Sequence, residues 1–289
     1  MAMPAAFRKP RFLIIALCSV AVLSIGMTVY YSLFLTQQRA QQAEGAHIWQ
    51  QMARFVEAHP QREAGTPAGR QAAEWIAREL GPHAQLLPFT SALGLSMANV
   101  YLPSPSTPVA ILASHFDTKS GIDGFVGAND GASTVALLLH LAQEGKLPVA
   151  YLFLDGEECR VRYSAKDGLQ GAWHAARMAH LPRVPVIVLD MLGDADYTPM
   201  LASNGSPRLQ TLVRKAAQNA QIALAEADYI VDDHIPFLAC GWQAVDLIDM
   251  DYAPWHTVAD TPDKVSAEAL AKTLRLVREI VSLLEKEKP

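Results

Sequence analysis

The sequence predicts an α/β protein: a three-layer α/β/α sandwich around a mostly parallel mixed central sheet, preceded by one transmembrane helix. Three observations carry that expectation. Short, almost wholly apolar runs recur at residues 109–114 (VAILAS), 149–154 (VAYLFL) and 186–189 (VIVL), and continuous apolar strands are those covered on both faces. Helical stretches at residues 131–144 and 169–180 separate them, the alternation expected of a parallel sheet. Finally, residues 12–35 (FLIIALCSVAVLSIGMTVYYSLFL) hold no charge and are long enough to cross a bilayer as a helix.

Arg8, Lys9 and Arg11 precede that apolar run, and Tyr30 and Tyr31 stand near its far end. The positive-inside rule makes residues 1–11 a cytoplasmic tail and puts the rest outside the cytoplasm, in a periplasm, a secretory lumen or the extracellular space. A cleaved signal peptide has a shorter apolar core and a small-residue cleavage site. No convincing site follows here, and Leu17 before Cys18 makes a poor lipoprotein signal. Residues 12–35 therefore read as an uncleaved signal anchor, residues 36–46 as a polar linker or helical stalk, and residues 47–289 as one catalytic domain.

Within that domain, residues 47–59 place Ile48, Met52, Phe55 and Val56 on one helical face. Residues 66–80 read as a second helix, with Thr66 as cap, Pro67 at the first position and Gly81 as stop. Residues 102–108 (LPSPSTP) read as a loop. A helix at 206–220, a strand at 244–248 and a closing helix at 266–285 complete the order, with no internal repeat.

Composition excludes several classes of function. With 24 basic against 29 acidic residues and a net charge of −5, there is no basic field for nucleic acid. Cys18, Cys159 and Cys240 offer neither zinc-finger spacing nor a disulfide framework. Neither a G-x-S-x-G elbow nor a G-x-G-x-x-G turn after a strand occurs, which removes support for a serine hydrolase or a dinucleotide site.

Ligands of such sheets bind beyond the carboxyl ends of the strands, and here acids and histidines follow every core strand. His115-Phe116-Asp117 follows the first run, Glu157 and Glu158 the second, and Asp190 the third. The strand at 244–248 holds Asp246 and leads to Trp255-His256, while Asp130 lies in GANDGAS just before a helix. Each has a plainer reading. Asp130 could cap its helix, His115 could be a structural histidine, Asp190 and His256 could sit in surface loops, and the two glutamates could form a solvated face. It is their coincidence at one sheet edge that points to a metal site. Imidazole and carboxylate ligands suit zinc, and no cysteine cluster supports a structural sulfur site.

The order SHFDTK, GANDGAS, FLDGEE, LDMLG and PWHT resembles the zinc-dependent aminopeptidases with co-catalytic metals and their relatives, the animal-type glutaminyl-peptide cyclotransferases. The resemblance runs from about Gly65 to the closing helix. Residues 232–237 (DDHIPF), Trp255 before His256, and residues 163–169 (YSAKDGL) are similar to the cyclase branch, as is an N-terminal signal anchor. The resemblance implies a zinc held by Asp130, Glu158 and His256, with Glu157 as general acid/base. It implies a hydrogen-bonded pair of Asp190 and Asp232 near the leaving group, and a substrate pocket involving Trp255, Asp246 and Tyr163. One zinc is expected. A second metal, as in the peptidases, would use His115 and Asp190.

Two departures stand out. Asp246 lies where animal cyclases have histidine, and Ser114 and Val135 replace cysteines that form a disulfide in the animal enzymes. The implied activity is conversion of N-terminal glutamine of peptides or proteins to pyroglutamate with release of ammonia. The alternative is a membrane-anchored zinc aminopeptidase, and a third reading is a binding ectodomain without catalysis.

Overall fold

The computed structural model describes residues 10–287 apart from Ala165, with side chains described from Met27 onward. The chain divides into two units, Met1–Glu44 and Gly45–Pro289. The described part of the first is helical and belongs to α1 (Pro10–Ala58). Residues 36–46, expected as linker or stalk, are helical within α1. Among the described residues no helix is long and apolar enough to cross a membrane. Of the expected tail and span, residues 1–9 lie outside the described residues, as do the side chains of residues 10–26.

The second unit is built on one eight-stranded sheet. Its strands are β1 (Gln85–Thr90), β2 (Ser96–Leu102), β3 (Ala110–His115), β4 (Val149–Leu154), β5 (Val186–Asp190), β6 (Met200–Ala202), β7 (Ala225–Ala227) and β8 (Ala244–Ile248). They lie in the order β1-β2-β4-β3-β5-β8-β6-β7. The inner strands β4, β3, β5 and β8 are parallel. β2 joins β4, and β6 joins β8, in antiparallel fashion. All residues of the four inner strands are buried, which is why β3, β4 and β5 show in the sequence as almost wholly apolar runs, while β8 (AVDLI) carries Asp246 at its centre.

Alternation along β3 divides the core between the two faces. Ala110 and Leu112 join a cluster with residues 45–58 of α1, α2 (Pro67–Leu80), α3 (Thr134–Glu144), α5 (Pro207–Asn219) and α7 (Ala267–Lys286). Ile111 and Ala113 face the other way, toward α4 (Gln170–Ala176) and α6 (His234–Ala239). Helices therefore cover both faces of a mixed sheet. Ile48, Met52, Phe55 and Val56 are all buried, on the face their spacing predicts. Thr66 caps α2, its Oγ1 accepting the Gly69 N–H at 3.1 Å.

Three departures have physical causes. Regular α3 begins at Thr134 rather than residue 131, because Asp130 (φ −77°, ψ 91°) and Gly131 (φ 86°, ψ −46°) leave helical space in the turn Ala128–Ser133. α4 ends at Ala176 rather than residue 180, where Arg177 and Met178 bond back three residues and tighten the turn. The outer strands escape the apolar pattern: β1 contains Pro88, tolerated at an edge, and β6 and β7 have three residues each.

From β3 the chain crosses to β4 on one side and then returns to β5 on the other. The switch point therefore lies between the carboxyl ends of β3 and β5, the place where such sheets open a crevice. Those two strands end in His115 and Asp190.

Candidate functional site

His115 closes β3 with its side chain wholly buried. Its Nε2 lies 3.1 Å from Oδ1 of Asp190 and 3.2 Å from Oδ1 of Asp130. Burial alone would depress the imidazole pKa, but the charge of Asp190 and the hydrogen bonds of Asp117, Asp130 and Asp190 raise it well above the ordinary value. Gly131 permits this close approach. Its φ of 86° is left-handed, and a Cβ there would stand 3.0 Å from Cε1 of His115. Asp130 does not act as a helix cap. Its Oδ1 faces His115, and its buried Oδ2 has no hydrogen-bond partner.

After β4 the three carboxylates of the FLDGEE stretch separate. Oδ2 of Asp155 accepts the Ala98 N–H at 2.9 Å, fastening β4 to β2. Glu157 and Glu158 follow Gly156 (φ 80°). Their backbone N–H groups both donate to Asp117, at 3.1 Å to Oδ1 and Oδ2 respectively. The turn is thus cradled by one buried carboxylate, and the two side chains diverge. Oε1 of Glu158 lies 2.9 Å from Nε2 of His256, and Oε2 lies 3.1 Å from the Lys119 ammonium. Burial would raise the Glu158 pKa, but the hydrogen bond and charge of His256 outweigh it and hold the carboxyl below its usual range. Glu157 instead accepts a 2.8 Å hydrogen bond from the Tyr163 hydroxyl at Oε1. Burial first, and the charge of Glu158 second, push its pKa well above normal.

His256 takes the left-handed backbone conformation (φ 52°), uncommon for this residue type and found where surrounding structure enforces it. Its ring stacks on Trp255 with centroids 4.3 Å apart. Its Nε2 lies 3.5 Å from Oδ2 of Asp130. Asp130, Glu158 and His256 each offer one ligand atom, all within 4.8 Å of one another. His115, Asp130 and Asp190 form a second such group that shares Asp130.

Asp232 precedes α6 and is buried, its pKa pushed up to about 7 by burial and then by the charge of Asp190. No hydrogen bond joins it to Asp190. Oδ1 of Asp190 is taken by His115, and Oδ1 of Asp232 accepts the Asp233 backbone N–H. Asp246, expected in the substrate pocket, does not line the cavity. It sits two residues below Ile248 on β8, about 6.6 Å deeper at the usual strand rise. There it is fully buried, 3.8 Å from Nδ1 of His234, and burial raises its pKa well above normal.

One cavity of about 240 Å³ gathers the rest. Asp130, Glu157, Glu158, Asp190, Asp232 and His256 line it, with Tyr163 and Trp255 among the walls. His115 lies behind Asp130 and Asp190. All the expected site residues except His115 and Asp246 thus reach one space.

Several supporting residues carry no assigned role in the sequence analysis. The Asp260 carboxylate accepts the N–H groups of Asn129 (2.8 Å) and Asp130 (3.0 Å), and the Tyr252 hydroxyl (2.6 Å). Arg62 is fully buried and donates to the carbonyls of Phe116 (2.6 Å), Val126 (2.8 Å), Gly127 (3.0 Å) and His59 (3.1 Å). It ties the loop after β3 to the loop before Asp130. Burial lowers its pKa to about 10, against the pull of Asp260, Asp130 and Asp117. Lys119 also donates to the Cys159 carbonyl at 2.7 Å. Asp117 was within reach of sequence reasoning, two residues beyond a core strand. Arg62 and Asp260 lie in polar loops with no such signal. At the position of the absent disulfide, Ser114 Oγ meets Thr134 Oγ1 at 2.7 Å.

The arrangement defines an α/β protein with a carboxylate and imidazole site at the carboxyl edge of its sheet. Residues 99–281 match Peptidase family M28, and the chain belongs to that family. It is 31% identical over 210 residues to a glutaminyl-peptide cyclotransferase of Drosophila melanogaster, covering 57% of this chain and 59% of that protein. It is 33% identical over 231 residues to a glutaminyl-peptide cyclotransferase-like protein of Mus musculus, covering 63% and 60%. The match thus spans about three fifths of the length of these relatives. Among solved structures, the glutaminyl cyclase of an Acidobacteriales bacterium superposes with a TM-score of 0.78 at 29% identity, covering 85% of this chain and 96% of that one.

Proposed function

We propose that this protein converts the N-terminal glutamine of peptides or proteins into pyroglutamate and releases ammonia. One observation carries the reading: the Glu157 carboxylate stands in the cavity beside the Asp130, Glu158 and His256 group yet accepts its hydrogen bond from the Tyr163 hydroxyl rather than joining that group. A group of ligand type and a separate buried carboxylate with a raised pKa are what metal-assisted acid/base chemistry needs. Similarity to glutaminyl-peptide cyclotransferases supports cyclisation as the reaction.

The residues fit a zinc ion. Oδ2 of Asp130 is buried without a hydrogen-bond partner and faces Nε2 of His256, and the three donors are oxygen and imidazole nitrogen. Asp130, Glu158 and His256 would hold it. When bound, zinc would supply Lewis-acid polarisation of the glutamine side-chain carbonyl.

The chain's own groups supply the rest. The substrate α-amine must be neutral to attack its own side-chain amide carbon, and Glu157 would take the proton it loses. As the ring C–N bond forms and the amide C–N bond breaks, Glu157 would return that proton to the departing ammonia, with no water consumed. Proton transfer of this kind contributes about 10²–10⁴-fold. Tyr163 fixes the Glu157 carboxylate, Asp232 would face the leaving amide nitrogen, and Trp255 would wall the folded side chain, holding it near the attacking geometry. N-terminal glutamate would react more slowly.

A second reading, a zinc aminopeptidase, is favoured by the His115, Asp130 and Asp190 group, which could hold a second metal. Ammonia release from a Gln-initiated peptide and leucine release from a Leu-initiated one, with metal content read on the same sample, separate the two. Ammonia without leucine supports the cyclase. Leucine without ammonia, at two zincs per chain, supports the peptidase.

We further propose that residues 12–35 anchor the protein with its N-terminus in the cytoplasm and its catalytic unit outside it. The support is the uncharged apolar run preceded by Arg8, Lys9 and Arg11. Protease protection of residues 45–289 in sealed membranes tests this, and full digestion from the cytoplasmic side contradicts it.

A further inference from the structure

One wall of the cavity is a short segment between β7 and α6. Tyr229, Ile230, Val231 and Asp232 all line the cavity, yet Tyr229 is 66% exposed and Val231 44%. Functional residues on loops take their precision from the scaffold that holds the loop. Two hydrogen bonds hold the middle of this one, and both come from one side chain. Nδ2 of Asn204 donates to the Ile230 carbonyl at 2.8 Å, and the Ile230 N–H donates to Oδ1 of Asn204 at 3.1 Å. Among the described residues, the N–H groups of Tyr229 and Val231 find no such partner. The Asn204 amide thus pairs with Ile230 as a neighbouring strand would, just beyond the β6–β7 ladder, which ends at Ala202 and Ala227. Ile230 also fixes the orientation of that amide, since the flipped form would set donor on donor and acceptor on acceptor.

Asn204 stands on a rigid base. Gly205 lies so close to β8 that a Cβ there would be 2.8 Å from Cγ1 and 3.3 Å from Cα of Val245. Ser206 brackets Ala244, its N–H donating to the carbonyl at 2.8 Å and its Oγ accepting the Ala244 N–H at 3.0 Å. Nε2 of Gln210 donates to the carbonyls of Ala202 (3.0 Å) and Ser203 (2.8 Å). Short contacts therefore run from an inner strand through Asn204 to Ile230, two residues before Asp232. Asn204 itself does not line the cavity.

We propose that Asn204 is a positioning residue for catalysis: its clamp on Ile230 sets where Asp232 meets the leaving amide nitrogen. The proposal rests on the role given to Asp232 in the cyclase reading. Asp130, Glu158 and His256 lie on other segments, so zinc binding does not depend on the clamp. A misplacement of about 1 Å at a reacting group can cost about 10²-fold in rate. Aspartate is the sharpest replacement, because it keeps the shape, lacks the donor and sets a carboxylate against the Ile230 carbonyl.

The test is a double-mutant cycle on the full-length protein: wild type, Asn204→Asp, Asp232→Asn and the double variant. Ammonia release from a Gln-initiated peptide, leucine release from a Leu-initiated one and zinc content are read on each. Asn204→Asp should lower turnover by about 10–10²-fold, mainly in kcat, with zinc retained. In the Asp232→Asn background the same substitution should cost far less, because the group it positions is already gone. Equal cost in both backgrounds overturns the proposal, since a general loss of order adds independently. If only leucine is released, the cyclase reading falls, and the coupling of Asn204 to Asp232 is judged on that release. Amide hydrogen exchange gives a readout independent of turnover. The Ile230 N–H should exchange more slowly than those of Tyr229 and Val231 in the wild type, and lose that protection in Asn204→Asp and Asn204→Ser. Exchange at Ile230 as fast as at its neighbours in the wild type overturns the clamp whether or not any variant folds.

Discussion

The hydroxyl of Tyr163 donates a 2.8 Å hydrogen bond to Oε1 of Glu157, while the adjacent Glu158 turns to His256 and Lys119. Two neighbouring carboxylates therefore occupy different electrostatic settings. Like charges this close could not both stay ionised without compensation. The turn provides it unequally: His256 and Lys119 hold the Glu158 carboxyl down, against burial, while Glu157 rises.

Tyr163→Phe removes the one hydrogen bond that the Glu157 carboxylate accepts among the described residues, without removing the ring. A donor to a carboxylate favours its ionised form, so its loss raises the Glu157 pKa further. Turnover should fall about 10-fold or more, in line with a bond to a charged group, and the acid limb of the pH–rate profile should move to higher pH. An unchanged acid limb would separate Tyr163 from the acid/base group.

Arg62→Met leaves the carbonyls of Phe116, Val126, Gly127 and His59 short of a buried donor. The Gly127 carbonyl keeps the Ala132 N–H, so with each of the other three worth about 1–3 kcal/mol when unsatisfied, the loss should exceed about 3 kcal/mol in denaturant unfolding. Arg62→Lys, with a single ammonium in place of the planar fork, should lie between. A loss below about 1 kcal/mol for Met would show that these carbonyls find other donors.

The stability of the metal-free protein should depend on pH in a definite direction. Burial pushes Asp130 and Asp232 up to about 7 and Asp155 up to about 8. A folded-state pKa above the unfolded value means the folded protein binds those protons more tightly. Their stabilisation is complete below an unfolded pKa of about 4 and is lost as pH rises through 7 and 8. Thermal melts should therefore show a lower Tm at pH about 9 than at pH about 6, with saturating zinc narrowing the gap at Asp130. A Tm that climbs over this interval would contradict the burial argument.

Much of the fold was legible because parallel inner strands are buried on both faces. β4 begins and ends where its apolar run does, and β8 spans the residues expected of it, 244–248. β1 and β2 were missed: a proline-bearing edge strand and its neighbour carry no such unbroken run. In the site, Glu157, Glu158 and Asp190 were legible because they lie at or just beyond the carboxyl ends of core strands. Asp246 misled for the same reason, since a position two residues short of the strand end is buried beneath the cavity rather than open to it. Arg62 and Asp260 act through loops brought together only by the tertiary fold, at 65 and 130 residues of separation from Gly127 and Asp130.

The division of labour between the two glutamates is tested most directly by zinc content and ammonia release measured together on Glu157→Gln and Glu158→Ala. Glu157→Gln should retain wild-type zinc and fold while losing about 10²–10⁴-fold in turnover, and Glu158→Ala should lose zinc and activity together. A fully active Glu157→Gln, or a Glu158→Ala that keeps its zinc, would contradict the account.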